Sequence, residues 1–230
     1  MDWPLHNAAR EGNAMIAKQL LEETPSLALK KDDDGRTPLH WALSAGHNEA
    51  ASEILKRAKT LKKFDIDETD EAGWTALHIA ASTGNSQAIE ELLMPRDPDV
   101  NAQTSAGQTA LHFAVSKGHI DVVKYLLDHG ASARIKDARQ QTPLHRAAAR
   151  GSLPMAEMLI KARSPINTTD TGHWSALHHA MAEGHGDVAV ALVKAGGDLD
   201  RTDGDGHTPL DVASDAKVRQ YVETQLQQQK

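Results

Sequence analysis

Thirteen histidines stand among 230 residues, enough to raise the question of metal or acid–base chemistry. Imidazole is a common metal ligand, and its ordinary pKa lies nearest neutrality. The spacing argues against both uses. A metal or a general base needs groups that converge at short intervals, as in H-E-x-x-H. Instead His6, His40, His78, His112, His145 and His178 each close a tetrad of the type T-P-L-H. His47, His119 and His185 each follow a glycine, and His129, His173, His179 and His207 lie in four separate places. His178 and His179 are adjacent, so on a helix their rings point to different faces. Neither G-x-x-x-x-G-K-[ST] nor G-x-G-x-x-G occurs, and nothing resembles a nucleophile elbow. Without cysteine there is no thiol catalysis, disulfide or Cys-based zinc site. The expectation is a non-enzymatic protein with no catalytic residue, cofactor or metal, whose tetrad histidines are structural. Such an imidazole can bridge a Thr hydroxyl and backbone groups of the neighbouring turn.

The stretch Gly35–His47 shows what surrounds each histidine: G-R-T-P-L-H-W-A-L-S-A-G-H. Thr37 is a good N-cap, and Pro38 suits the first helical position. Leu39, Ala42 and Leu43 recur at helical spacing, and Gly46 can end the helix in a left-handed residue. A two-turn helix is not stable alone in water, so something must stack on it. Repetition supplies this. Tetrads begin at Trp3, Thr37, Thr75, Thr109, Thr142, Ser175 and Thr208, at intervals of 34, 38, 34, 33, 33 and 33 residues. Each of the first six leads to a glycine and a second apolar-periodic helix, such as Ile120, Val122, Val123, Leu126 and Leu127. A polar finger precedes most tetrads, with Gly35, Gly73, Gly107 and Gly206 at the turn. Gln140 and His173 occupy that slot in two fingers, so the chain there must accept strain or turn elsewhere. Gly172 beside His173 suggests a shifted turn.

This pattern resembles the ankyrin-repeat family, whose unit of about 33 residues is a turn finger plus two antiparallel helices. The resemblance covers essentially the whole chain. It implies an all-α solenoid of seven repeats, a single domain over residues 1–230 with repeats starting near 1, 34, 72, 106, 139, 172 and 205. Composition agrees: hydrophobic residues make up 40% and aromatics only 3%, which suits thin layers of closely packed small side chains. Trp3, Asp211 in place of histidine, and the polar tail Gln225–Lys230 mark the terminal caps. The longer interval carries Lys56, Arg57, Lys59, Lys62 and Lys63, read as a solvated helix C-terminus rather than a localisation or nucleic-acid signal. A net charge of −7 argues against a nucleic-acid partner. Met1–Pro4 lacks the regions of a signal peptide, and no apolar run approaches a membrane span. An intracellular, non-membrane protein is expected.

In stacked repeats the fingers and first helices line a concave face, roughly 60 Å long for seven helices. The register selects its residues. The second repeat offers Asp33, Asp34, Arg36, Trp41 and Ser44, and the third Glu71, Trp74, Ser82 and Thr83. The fourth offers Phe113, Ser116 and Lys117, the fifth Lys136, Arg139, Arg146 and Arg150, and the sixth Trp174, His179 and Glu183. Acidic and aromatic residues come first and basic ones follow, and such segregation suits a protein partner.

Within the family the chain resembles the gankyrin group, including its fungal members. The resemblance rests on Arg36–His47, Glu71–Ser82 and His145–Gly151, and more loosely on Ala114–Lys117. It implies a chaperone for assembly of the proteasome regulatory particle, found in cytoplasm and nucleus. Its partner would be the C-terminal helical domain of a base AAA ATPase, met by Arg36, Asp34, Glu71 and Lys117 of a monomer. The L-x-C-x-E segment of animal members is replaced by His179, Ala180, Met181, Ala182 and Glu183, so retinoblastoma-protein binding is not implied. The alternative is a scaffold or adaptor that uses the same groove for another protein. Charge reversal at Lys117 and Arg146 is expected to weaken binding and leave the fold intact.

Overall fold

The structure is a computed structural model that describes residues 3–94 and 98–227. Its order is α1 (Pro4–Glu11), α2 (Ala14–Glu23), a 3₁₀ turn (Pro25–Leu29), α3 (Pro38–Ser44), α4 (Asn48–Ala58), α5 (Ala76–Thr83), α6 (Ser86–Leu93) and α7 (Ala110–Lys117). It continues with α8 (Ile120–Asp128), α9 (Pro143–Arg150), α10 (Leu153–Lys161), α11 (Ala176–Ala182), α12 (Gly186–Lys194) and α13 (Ala216–Gln227). Among the described residues the only β pairing noted is an isolated bridge between Thr169 and Ser175, so the class is all-α. The chain divides into two compact units, one ending at Lys117 and the other beginning at Gly118. In the first unit α1, α3, α5 and α7 pack side by side, with α2, α4 and α6 as a second layer. In the second unit α9 packs on α11, and α8, α10, α12 and α13 follow one another in their own layer.

Alanine sets the spacing of the first layer. Ala42, Ala80, Ala114, Ala147 and Ala180 occupy one slot of successive helices and are fully buried. Leucines fill the interlayer space, with Leu43, Leu111, Leu126, Leu144 and Leu159 among the largest fully buried side chains. Shape fit of this kind leaves little tolerance for added methylenes.

The tetrad histidine ties the layers together. At Thr37 the hydroxyl accepts from the His40 backbone N–H at 3.4 Å and meets Nδ1 at 2.8 Å. The Thr37 backbone N–H donates to the same Nδ1 at 3.1 Å. Thr75, Thr109, Thr142 and Ser175 repeat these Nδ1 contacts with His78, His112, His145 and His178. Since Nδ1 accepts, the ring is neutral and carries its proton on Nε2. That proton goes to the next finger. Nε2 of His6 donates to the Arg36 carbonyl at 3.0 Å, of His145 to Thr168 at 3.0 Å, and of His178 to His207 at 3.3 Å. His78 reaches the carbonyls of both Ala102 (2.9 Å) and Gln108 (3.1 Å).

Four expectations change in detail. The longer interval leaves His40 Nε2 buried without a hydrogen-bond partner, beside a cavity of about 30 Å³ lined in part by Leu39, Phe64 and Ile66. Lys59 is not merely solvated: its Nζ donates to the carbonyls of Glu91 (2.6 Å) and Met94 (2.8 Å) at the end of α6, where cations are favoured. The turn at His173 does not shift. Gln140 and His173 both take the left-handed conformation at φ 61°, and Gly172 does not. The seventh tetrad forms turns rather than an α-helix. Residues 228–230 of the polar tail lie outside the described residues.

Burial pushes the pKa of His40 and of His145 from 6.5 down to about 4, and lowers those of His6, His78 and His178. Their folded-state pKa values lie below the unfolded value. The stability they contribute is therefore complete above pH 6.5 and is lost as pH falls toward 4. For His40 and His145 the full loss is roughly 3 kcal/mol each. Urea unfolding in steps from about pH 7.5 to about 5, above most carboxylate titration, should show a falling midpoint. His145→Gln should make that fall shallower, and a midpoint independent of pH would contradict the assignment.

Candidate functional site

The exposed face of the first layer is built on an aspartate five residues before each tetrad: Asp32, Asp70, Asp137, Asp170 and Asp203, with Thr104 in the fourth repeat. One carboxylate oxygen of each aspartate holds its own finger. Asp32 accepts from the backbone N–H of Asp34 (3.1 Å) and Arg36 (2.8 Å), and Asp70 from those of Ala72 and Trp74, both at 2.9 Å. Asp137, Asp170 and Asp203 close their turns in the same way. The other oxygen points to the first helix or to a neighbouring finger. Nine residues on, Asp32 takes the Trp41 indole N–H (2.6 Å), Asp137 takes Arg146 Nη2 (2.7 Å), and Asp170 takes His179 Nε2 (2.9 Å). Between repeats, Asp70 takes Arg36 Nε (3.4 Å), Asp170 also takes Gln141 Nε2 (2.9 Å), and Asp203 takes the Trp174 indole (3.1 Å). Burial works against the charges of Asp32 and Asp170. The bonds from Trp41, or from Gln141 and His179, together with those from the backbone, hold both carboxyls below the usual range.

These bonds sort the residues selected by register. In the first unit Asp33, Asp34, Ser44, Glu71 and Lys117 are exposed. Trp74 is half-buried and packs against Phe113 with ring centroids 4.1 Å apart and the planes tilted by 40°. Arg36 lies 5.0 Å over the Trp41 ring while it reaches Asp70, so both are held in place. Ser82 is half-buried. In the second unit Arg139 and Arg150 are exposed. Arg146 is a strut: its side chain is 24% exposed and its partner Asp137 only 2%. Trp174 and His179 are half-buried and in edge contact at 5.1 Å. The basic character of this unit's face thus rests on Lys136, Arg139 and Arg150 rather than on Arg146. The register missed Arg10, whose guanidinium lies 5.9 Å over Trp41. It also passed over the five aspartates, although their constant distance from the tetrad was visible.

Asp203, Asp205 and His207 bring possible metal-ligating atoms within 4.8 Å of one another. Both Asp203 oxygens already accept hydrogen bonds, so the cluster reads as a finger turn. Among the described residues no helix is long and apolar enough to cross a membrane. The arrangement can present exposed charges and aromatic edges on a braced surface, which is the chemistry of protein recognition.

Comparison with known proteins gives one family. A model of ankyrin repeats, written as three copies, matches residues 2–65, 52–137, 77–170 and 144–224. The probable 26S proteasome regulatory subunit p28 of Saccharomyces cerevisiae is 43% identical over 136 residues, which is 59% of this chain and 59% of that protein. Human 26S proteasome non-ATPase regulatory subunit 10 is 42% identical over 50 residues, 22% of each chain. The crystal structure of the ankyrin repeat domain of Bcl-3 superposes with a TM-score of 0.79 at 27% identity, covering 96% of this chain and 98% of that one.

The bracing corrects the expectation for Arg146. Arg146→Glu would set a carboxylate against buried Asp137 and should lower unfolding free energy by roughly 3 kcal/mol. Lys117→Glu, at an exposed helix end, should change it by less than about 0.5 kcal/mol. Urea unfolding of both variants tests the contrast, and equal effects would remove the strut role.

Proposed function

This chain belongs to the ankyrin-repeat family, and from that premise we propose that it is a non-enzymatic chaperone for assembly of the proteasome regulatory particle. The observation that carries the reading is the 43% identity over 136 residues to a yeast protein described as a probable 26S proteasome regulatory subunit. The shorter match to a human 26S subunit supports it. The proposed partner is the C-terminal helical domain of a base AAA ATPase, bound by the monomer in cytoplasm and nucleus. Asp33, Asp34 and Glu71, on the fingers of the first unit, would meet basic side chains. Lys117, Arg139 and Arg150 would meet carboxylates. The half-buried Trp74–Phe113 pair supplies an apolar contact braced against bending. Occupying that domain would keep the ATPase ring from docking early on the core particle.

Native co-purification with mass spectrometry should recover proteasome base subunits, and their absence would remove the reading. In titrations against the purified ATPase domain, Lys117→Glu with Arg139→Glu should weaken binding about tenfold or more and flatten its salt dependence. Both side chains are exposed, so the thermal midpoint should hold.

A further inference from the structure

The interval from Thr37 to Thr75 is the longest between tetrads, and its extra residues fall between the end of α4 at Ala58 and the third finger. Elsewhere the tetrad histidine reaches a set carbonyl. His78 Nε2 bonds that of Ala102 and His145 Nε2 that of Thr168, each seven residues before the next capping residue, Thr109 or Ser175. The same count back from Thr75 gives Glu68. The Glu68 carbonyl acts on the His40 ring but stays outside hydrogen-bond geometry, so Nε2 is unpartnered although His40 is only 2% exposed. Two anchors keep the segment from closing on the ring. Lys59 holds one end on the Glu91 and Met94 carbonyls. Lys31 Nζ grips the other end, through the Thr69 carbonyl at 2.8 Å and the Glu68 carboxylate at 2.6 Å. Between them the Phe64 N–H donates to the Leu61 carbonyl at 3.2 Å. That turn sets Phe64 and Ile66 into the wall of the cavity of about 30 Å³ beside His40.

The chemistry of the ring decides what this cavity can hold. The Thr37 backbone N–H donates to Nδ1 at 3.1 Å, so Nε2 carries a hydrogen and must give it to an acceptor. A metal ion is excluded at that nitrogen, because it needs the lone pair that the hydrogen occupies. Size excludes most other ligands. A water needs roughly 10–15 Å³ of such space, which leaves room here for about two at most. Cavities with purely apolar walls stay dry, and this one joins apolar Leu39, Phe64 and Ile66 to a buried N–H and to Glu68. Water alone supplies both an acceptor for Nε2 and a donor for a carbonyl that the ring does not reach directly. We propose that the cavity is a water-binding site, in which one ordered water accepts from His40 Nε2 and donates to the Glu68 carbonyl. The second and third repeats are then joined through a solvent molecule, whereas the joints on either side, made by His6 and His78, are direct.

The test is a crystal structure of the full chain at a resolution that shows ordered solvent, paired with NMR of the same protein. A water should lie about 2.7–3.2 Å from both His40 Nε2 and the Glu68 carbonyl oxygen. A direct bond from Nε2 to a carbonyl would overturn the proposal, and so would a dry cavity around an unbonded Nε2. In solution the Nε2 proton of His40 should give a cross-peak to a long-lived buried water. The Nε2 proton of His145, bonded directly to Thr168, should give none. A missing cross-peak at His40, or equal cross-peaks at both histidines, would overturn the proposal as well.

Discussion

The structure depends on an uncharged imidazole that accepts at one nitrogen and donates from the other. Nδ1 takes the backbone N–H and hydroxyl of the capping Thr or Ser, which starts the helix. Nε2 donates its N–H to a carbonyl of the following finger, as at His78 and His145, whereas His40 Nε2 does not. The bonding has a direction, and the first and seventh tetrads follow it. The first repeat lacks a capping hydroxyl at Trp3, yet His6 still donates onward to Arg36. In the last repeat Asp211 takes the N–H and hydroxyl of Thr208, but a carboxylate has no proton to pass on. The seventh repeat receives, through the His207 carbonyl. A charged imidazole could not fill the middle slots, since protonated Nδ1 would point a proton at an N–H donor.

A second constraint is layered on the first. Each finger aspartate uses one oxygen to shape its turn and has one left for a surface residue. That second oxygen decides whether a side chain on this face is a strut or a contact. Arg146 and Arg139 belong to the same repeat and carry the same charge. One is fixed on a nearly dry carboxylate, and the other stands in solvent. Charge counted along the sequence therefore overstates what a partner meets, because part of it is neutralised locally.

The repeat and the structural role of the tetrad histidines were legible because they follow from spacing along the chain. The helix-ending glycines and the glycine-tipped fingers were legible for the same reason. The fates of Gln140 and His173 were legible only as alternatives, strain or a shifted turn, and the backbone chose strain at both. The face was less readable. Whether Trp41, Arg146 or His179 points outward or back to its aspartate depends on rotamers and on a bond closed across nine residues. Arg36 pairs with Asp70 of the following repeat, which no local pattern specifies. Arg10 was overlooked because the first helix has no complete finger before it. The lysine-rich interval was read as solvent-facing, yet Lys59 satisfies carbonyls at the end of a helix in the next repeat.

The position nine residues beyond the finger aspartate or threonine holds Trp41, Ile79, Phe113, Arg146, His179 and Val212 in successive repeats. Aromatic, aliphatic, cationic and titratable side chains all fit, because the turn is already closed by the other oxygen or by the Thr104 hydroxyl. Mutation can therefore rewrite the surface one repeat at a time while the capping threonine, histidine and buried alanine stay as they are. Such a chain is free to drift toward new partners without first losing the architecture that displays them.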